Sequence, residues 1–382
     1  MKSNIVLLCF FALLSYPLKA QIKQEVITSQ RLGEDRSIQI YAPKDIDSKK
    51  SYSLIVVLDG DYMFDLVTAN VKFFTYKQEM PETIVVGINQ NYDNLRTEDV
   101  EINPDNGLPA NKANAFFDFI NVELIPYIEQ TYRLSNFKAI VGHQETANFI
   151  NYTLFKDHPQ FNAYISLAPI LAPQMEDRLV QRLTNFNEKQ FYYLAIGQGD
   201  KENDQKLRNL STQLKNIKRD DFHFYADDFV NIPSFDVAAM AIPKALNAIF
   251  DVYKPISAYE YKTQILTSTD PVYNYLENKY QTIQDLFGFK KPVSLNDIMA
   301  IYAACRKKED FESQSKLSDL AKKEFPDTML GFYLEGEYLE KVGKPKQALR
   351  AYQKAYILKN IDFLDKDIIV DRMTKLKQDF GL

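Results

Sequence analysis

Residues 54–58 (L-I-V-V-L) and 83–88 (T-I-V-V-G-I) are apolar on both alternate sets of positions. A strand with one wet face alternates apolar and polar side chains. A strand apolar on both faces must be covered on both. Such strands belong inside a sheet flanked by helices, and the segments between them must be long enough to supply those helices. The rest of residues 21–254 follows suit. Ile38–Tyr41 reads as an edge strand stopped near Pro43. Phe137–Val141, Asn162–Leu167, Gln190–Ile196 and a short last run, Phe222–Tyr225, read as further strands. Phe116, Phe119, Ile120, Leu124, Tyr127 and Ile128 recur at helical spacing, predicting a helix over 116–131. Ala147–Phe155 and Ile242–Tyr253 read as helices too. Strands separated by helix-length segments predict an α/β domain with a mostly parallel central sheet.

After Lys254 the pattern changes. Residues 255–292 read as a helical connector. Residues 293–382 read as a smaller all-α region rich in Lys and Glu. There Phe332, Gly336, Gly343, Ala348, Tyr352 and Ala355 take the aromatic, small and aromatic places of a tetratricopeptide-like repeat. Ala321 and Pro326 precede Ala355 and Asn360 by the repeat length of about 34 residues. Two such repeats bury little by themselves, so this region is expected to pack against the first domain.

Lys2, the apolar stretch Ile5–Leu14 and Leu18-Lys19-Ala20 predict a secretory signal peptide over residues 1–20. The expectation is an exported protein, periplasmic or secreted, with no transmembrane segment after cleavage. Cys9 falls inside that leader. The remaining Cys305 therefore has no disulfide partner and reads as a buried small hydrophobe. A net charge of -5 without a basic stripe argues against nucleic acid.

The chemistry concentrates at Val141–Ala147, V-G-H-Q-E-T-A. A strand running through Gly-His into a helix is the build of a nucleophile elbow, where a serine hydroxyl projects from a tight turn. Here the residue at the tip is Gln144, and a carboxamide forms no acyl-enzyme. Other blocks accompany it. They are Val57-Leu58-Asp59-Gly60-Asp61 with Phe64, and Val86-Gly87-Ile88-Asn89 with Arg96 and Asp99. Glu123-Leu124-Ile125-Pro126-Tyr127-Ile128 with Tyr132-Arg133 follows, then Asp157-His158-Pro159 with Phe161 and Ala168-Pro169. Taken in order, residues 29–253 resemble the esterase-D and enterochelin-esterase-like branch of the α/β-hydrolases, some of which carry a tetratricopeptide-like tail.

The resemblance implies an α/β-hydrolase fold and a Ser–His–acid triad, and the chain departs from it at two of the three places. Gln144 stands for the family's Ser, with Thr146 and Ala147 for its elbow glycines. In Asp227-Asp228-Phe229-Val230-Asn231-Ile232-Pro233, Phe229 stands for the base His. Asp200 is the candidate remaining acid, with Asp204 behind it. The three histidines are His143 beside the elbow, His158 in the Pro-Phe segment, and His223, six residues before the expected base. The resemblance also assigns backbone donors of an oxyanion hole to Glu145 and to the Asp59–Tyr62 turn, with Gly60, Asp61 and His143 around the cleft. The carboxylates of Asp59, Asp61 and Glu145 are expected to repel anions there.

Three functions fit this pattern. The first is a catalytically degenerate esterase-like module that binds a protein or small-molecule ligand in the cleft or helical tail. The second is an active carboxylic-ester hydrolase with non-standard residues, such as Glu145 with Asp61 or Asp200 activating water. The third is a tetratricopeptide-type adaptor with the first domain as scaffold. No cofactor or metal is expected, since neither H-x-x-x-H nor C-x-x-C occurs.

Overall fold

The computed structural model describes residues 21–92 and 94–382. The expected signal peptide, with Cys9, lies outside the described residues. Eight strands form one sheet: β1 (Ile22–Ser29), β2 (Glu34–Tyr41), β3 (Tyr52–Val57), β4 (Thr83–Ile88), β5 (Leu134–His143), β6 (Ala163–Leu167), β7 (Gln190–Gln198) and β8 (Phe222–Pro233). Their order is β1-β2-β4-β3-β5-β6-β7-β8. The first two pairings across the sheet are antiparallel and all the others parallel. This is an α/β-hydrolase sheet, and β3 and β4 are buried along their whole length.

Three expectations need correction. β2 is not an edge strand, because β1 covers it. β1 (I-K-Q-E-V-I-T-S) mixes polar residues into both faces and is mostly exposed, so no apolar run announces it. The last strand does not stop at Tyr225 but continues to Pro233. The helix over 116–131 begins at Lys112 and is interrupted by a π-helical turn, Phe119–Leu124. Pro126 explains the interruption: it has no N–H to give the preceding turn, and its ring needs the room a wide turn provides.

Each face of the sheet carries its own core. One contains Phe116, Phe149, Tyr164 and Leu179. The other contains Phe64, Val67, Ile242 and Leu246, and it extends into the C-terminal region through Ile283, Leu286 and Phe287. The helix Val272–Phe287 sets Phe287 with its ring centroid 5.0 Å from Phe137 and 5.9 Å from Phe250. Five helices follow: Leu295–Lys308, Phe311–Glu324, Leu330–Lys341, Pro345–Tyr356 and Lys366–Phe380. Each packs on its chain neighbour around a third core that includes Cys305. At Gly336 the helices are so close that an added Cβ would lie 2.4 Å from the Tyr352 ring. The repeat-like pairing of a small residue with an aromatic thus has a steric basis. Among the described residues no helix is long and apolar enough to cross a membrane.

Candidate active site

β5 ends at His143, Gln144 forms the tip, and the helix Glu145–Phe149 begins at once. Gln144 has φ 55° and ψ -115°, a conformation L-residues rarely adopt and worth about 1–3 kcal/mol of strain. The surrounding structure enforces it. Gln144 N–H donates to Leu167 O at 2.9 Å, while its carbonyl accepts from Asn148 N and Ile170 N, each at 3.2 Å. Gly142 is required because an added Cβ would lie 2.5 Å from Thr146 O. The Thr146 hydroxyl accepts from His143 N at 2.7 Å and donates to Asp59 at 2.7 Å. The Gln144 side chain is half-buried, and its carboxamide makes no hydrogen bond to another described residue.

The carboxylates expected at the mouth are not free. Arg96 bonds Asp59 Oδ1 at 2.6 Å, Glu145 Oε2 at 2.7 Å and the His143 carbonyl at 3.1 Å. Asp59 is fully buried, and these two carboxylates hold the Arg96 guanidinium above its ordinary pKa against the opposing effect of burial. Asp61 accepts from the N–H groups of Gln90 at 2.7 Å and Asn91 at 3.0 Å, tying the β4 loop to the first turn of helix Gly60–Tyr76. The expected repulsion of anions is therefore reduced but not cancelled, because Arg96 brings one positive charge against the carboxylates of Asp59 and Glu145, and Asp61 adds a third acid bonded only to N–H groups. Arg96 was present in the sequence only as part of a matched block. Its spacing to Asp99 did not reveal that it faces Asp59 and Glu145 while Asp99 pairs with Arg36.

His143 is fully buried, and both ring nitrogens are engaged. Nε2 lies 3.1 Å from Ser234 O, an acceptor, so Nε2 carries the proton; Nδ1 then accepts from the Tyr62 hydroxyl at 2.9 Å. Burial lowers its pKa below 6.5 and keeps it neutral. Phe235 closes the group, 5.5 Å from Tyr62 and 5.3 Å from His143 between ring centroids. Because β8 runs on to Pro233, Ser234 and Phe235 reach the elbow. Phe229 lies within the strand, with the Lys244 ammonium 5.1 Å from its ring. Nothing in the sequence around Ser234 signalled this.

The remaining candidates lie apart. Asp200 is exposed and caps the helix Lys201–Lys215, accepting from Glu202 N at 3.1 Å and Asn203 N at 3.0 Å. Asp204 is buried and accepts from Gly199 N at 3.0 Å, next to Ser234. His158 is exposed beside Glu188. His223 sits at the start of β8, stacked on Phe191 at 4.6 Å.

An open sheet of this order, with a strained turn between β5 and its helix, defines the α/β-hydrolase class. The family model described as "Putative esterase" matches residues 29–228, and the chain belongs to this esterase family. An uncharacterised protein from Capnocytophaga ochracea, known from its crystal structure, is 33% identical; the match covers 94% of this chain and 100% of that one, with a TM-score of 0.84. An IroE-like serine hydrolase from Shewanella oneidensis shares the fold at 20% identity, covering 79% of this chain and 99% of that one, TM-score 0.59. The BES protein from Bacillus cereus does so at 22% identity, covering 65% and 97%, TM-score 0.53. No curated protein matches the chain.

Proposed function

We infer that this chain is an exported, catalytically degenerate member of the esterase family that uses the elbow cleft to bind a ligand. One observation carries the reading: Gln144 occupies the strained tip of the elbow while His143, the imidazole beside it, has both nitrogens engaged by Tyr62 and Ser234. A nucleophile must be paired with a base that can take its proton. Gln144 offers no such proton, and Ser234 and Phe235, which pack on His143, supply no imidazole. The family's base place, assigned to Phe229 from sequence, moves on this reading to Ser234 or Phe235, and the conclusion is the same. Losing nucleophile or base costs a serine hydrolase about 10⁶ in turnover.

Binding survives that loss. The first-turn N–H groups at Asp61 and Glu145 have no acceptor within their own helices. They suit the oxygen of a neutral carbonyl, since Arg96 offsets only one of the charges of Asp59, Asp61 and Glu145. Ile170 and Phe235, both exposed, provide an apolar rim. A hydrolase using Glu145 with Asp61 or Asp200 gains no support, because each of these carboxylates is committed to Arg96 or to backbone N–H groups. Export rests on Lys2, the apolar stretch Ile5–Leu14 and Ala20.

Gln144→Ser tests the reading. The expected outcome is no burst and no steady turnover of p-nitrophenyl esters above wild type. A burst of p-nitrophenol followed by turnover would mean that a base reaches the restored hydroxyl.

A further inference from the structure

A second cleft, of about 660 Å³, opens at the other end of the sheet, where the C-terminal region folds back on the first domain. Its volume lies within the range of small-molecule sites, and junctions of this kind are where such sites occur. The first domain contributes Phe191 and His223 from the starts of β7 and β8, with Lys189 just before β7. The C-terminal region contributes Tyr259, Glu260, Tyr275 and Lys279. Neither part makes the cleft alone.

The charges decide what it accepts. Lys279 pairs with Glu260 at 2.9 Å, and both side chains are largely buried. The Tyr275 hydroxyl lies 2.7 Å from the same Glu260 oxygen. Lys254 pairs with Asp251 at 2.7 Å. Each acid lining the cleft is thereby neutralised. Lys189 has no carboxylate partner among the described residues, which leaves the cleft one positive charge in excess. His223 lies nearby and makes no hydrogen bond to another described residue. Its ring stacks on Phe191 with an interplanar angle of 22°, so a flat surface is already formed. Tyr225, Tyr259 and Tyr275 add aromatic wall.

We propose that this junction cleft is a ligand site for a planar aromatic anion, with its ring against the His223 and tyrosine surfaces and its acidic group at Lys189. Aromatic faces supply apolar contact and stacking geometry, and the unpaired ammonium selects the sign of charge. The site is separate from the elbow cleft and does not depend on its being inert.

Calorimetric titration of the full mature chain with naphthoate, and in parallel with naphthylmethylammonium, tests the proposal. One naphthoate is expected to bind per chain, and the cation is not. Lys189→Glu is expected to weaken naphthoate by about tenfold, equivalent to about 1.4 kcal/mol. His223→Ala should also weaken it, and so should Tyr259→Ala at the exposed rim. Melting curves of the three variants identify any that fail to fold, and those are set aside in favour of the others. The proposal is overturned by absence of naphthoate binding, by equal binding of the cation, or by variants that melt like wild type and bind unchanged.

Discussion

At the carboxyl ends of β3 and β5, Asp59, Arg96, Glu145 and His143 bond to one another, to Tyr62 or to backbone. At the amino ends of β7 and β8, Lys189 and His223 face an open cleft without such partners. The first region is a network of paired charged side chains that holds a strained turn in place and, among the described residues, leaves free only the Gln144 carboxamide and first-turn N–H groups. The second is an aromatic junction in which Glu260 pairs with Lys279 and Asp251 with Lys254, while Lys189 and His223 are left available. The difference separates two uses of polar side chains. Groups that satisfy each other fix geometry, whereas unsatisfied groups beside a cavity can meet a ligand.

The largest expected effect would break the comparison at its second end. Phe287→Ala removes the ring that joins Phe137 and Phe250 and should cost about 3–5 kcal/mol in denaturant unfolding. First domain and C-terminal region should still unfold in one transition, since they share a core. Two separate transitions would show that the C-terminal region is an independent attachment. At the first end, Arg96→Ala leaves Asp59 buried without its cation. The expected loss is about 3 kcal/mol, the low end for breaking such a pair because Arg96 is partly exposed. Lys189→Glu should change stability by no more than about 0.5 kcal/mol. Equal costs for the two substitutions would erase the distinction.

Smaller effects sharpen it. Gln144→Gly should raise stability by about 1 kcal/mol, because glycine adopts positive φ without strain. A loss instead would mean that the glutamine side chain contributes contacts exceeding the backbone cost. The smallest effect is on pH. Burial holds the folded-state pKa of His143 below 6.5, so as pH falls the unfolded chain takes up the proton first. Its stabilising contribution is complete above pH 6.5 and is lost as pH drops through the folded-state value. Urea midpoints measured downward from pH 7 should fall less steeply in His143→Gln than in wild type. Parallel slopes would contradict a neutral, buried imidazole.

Much of the fold was legible in the sequence because buried parallel strands are apolar throughout, as at residues 54–58 and 83–88. β1 was not legible, since an exposed antiparallel edge has no such signature. The end of β8 was missed because Asp227 and Asp228 look like loop residues, although Asp227 is held by Tyr193 and Lys244 and Asp228 by Arg208. At the site, Gln144 could be read directly from the elbow pattern. The contacts of its neighbours could not, because Arg96, Tyr62 and Ser234 reach His143 and Glu145 from three other segments, and of these only the turn carrying Tyr62 was placed there by the family resemblance. Only the folded chain brings Ser234 and Phe235, rather than Phe229, up to His143.

The most direct test of an elbow without acyl chemistry is the intact mass of the purified protein after exposure to a fluorophosphonate. The account predicts an unchanged mass. A stoichiometric phosphonyl adduct on a serine would contradict it.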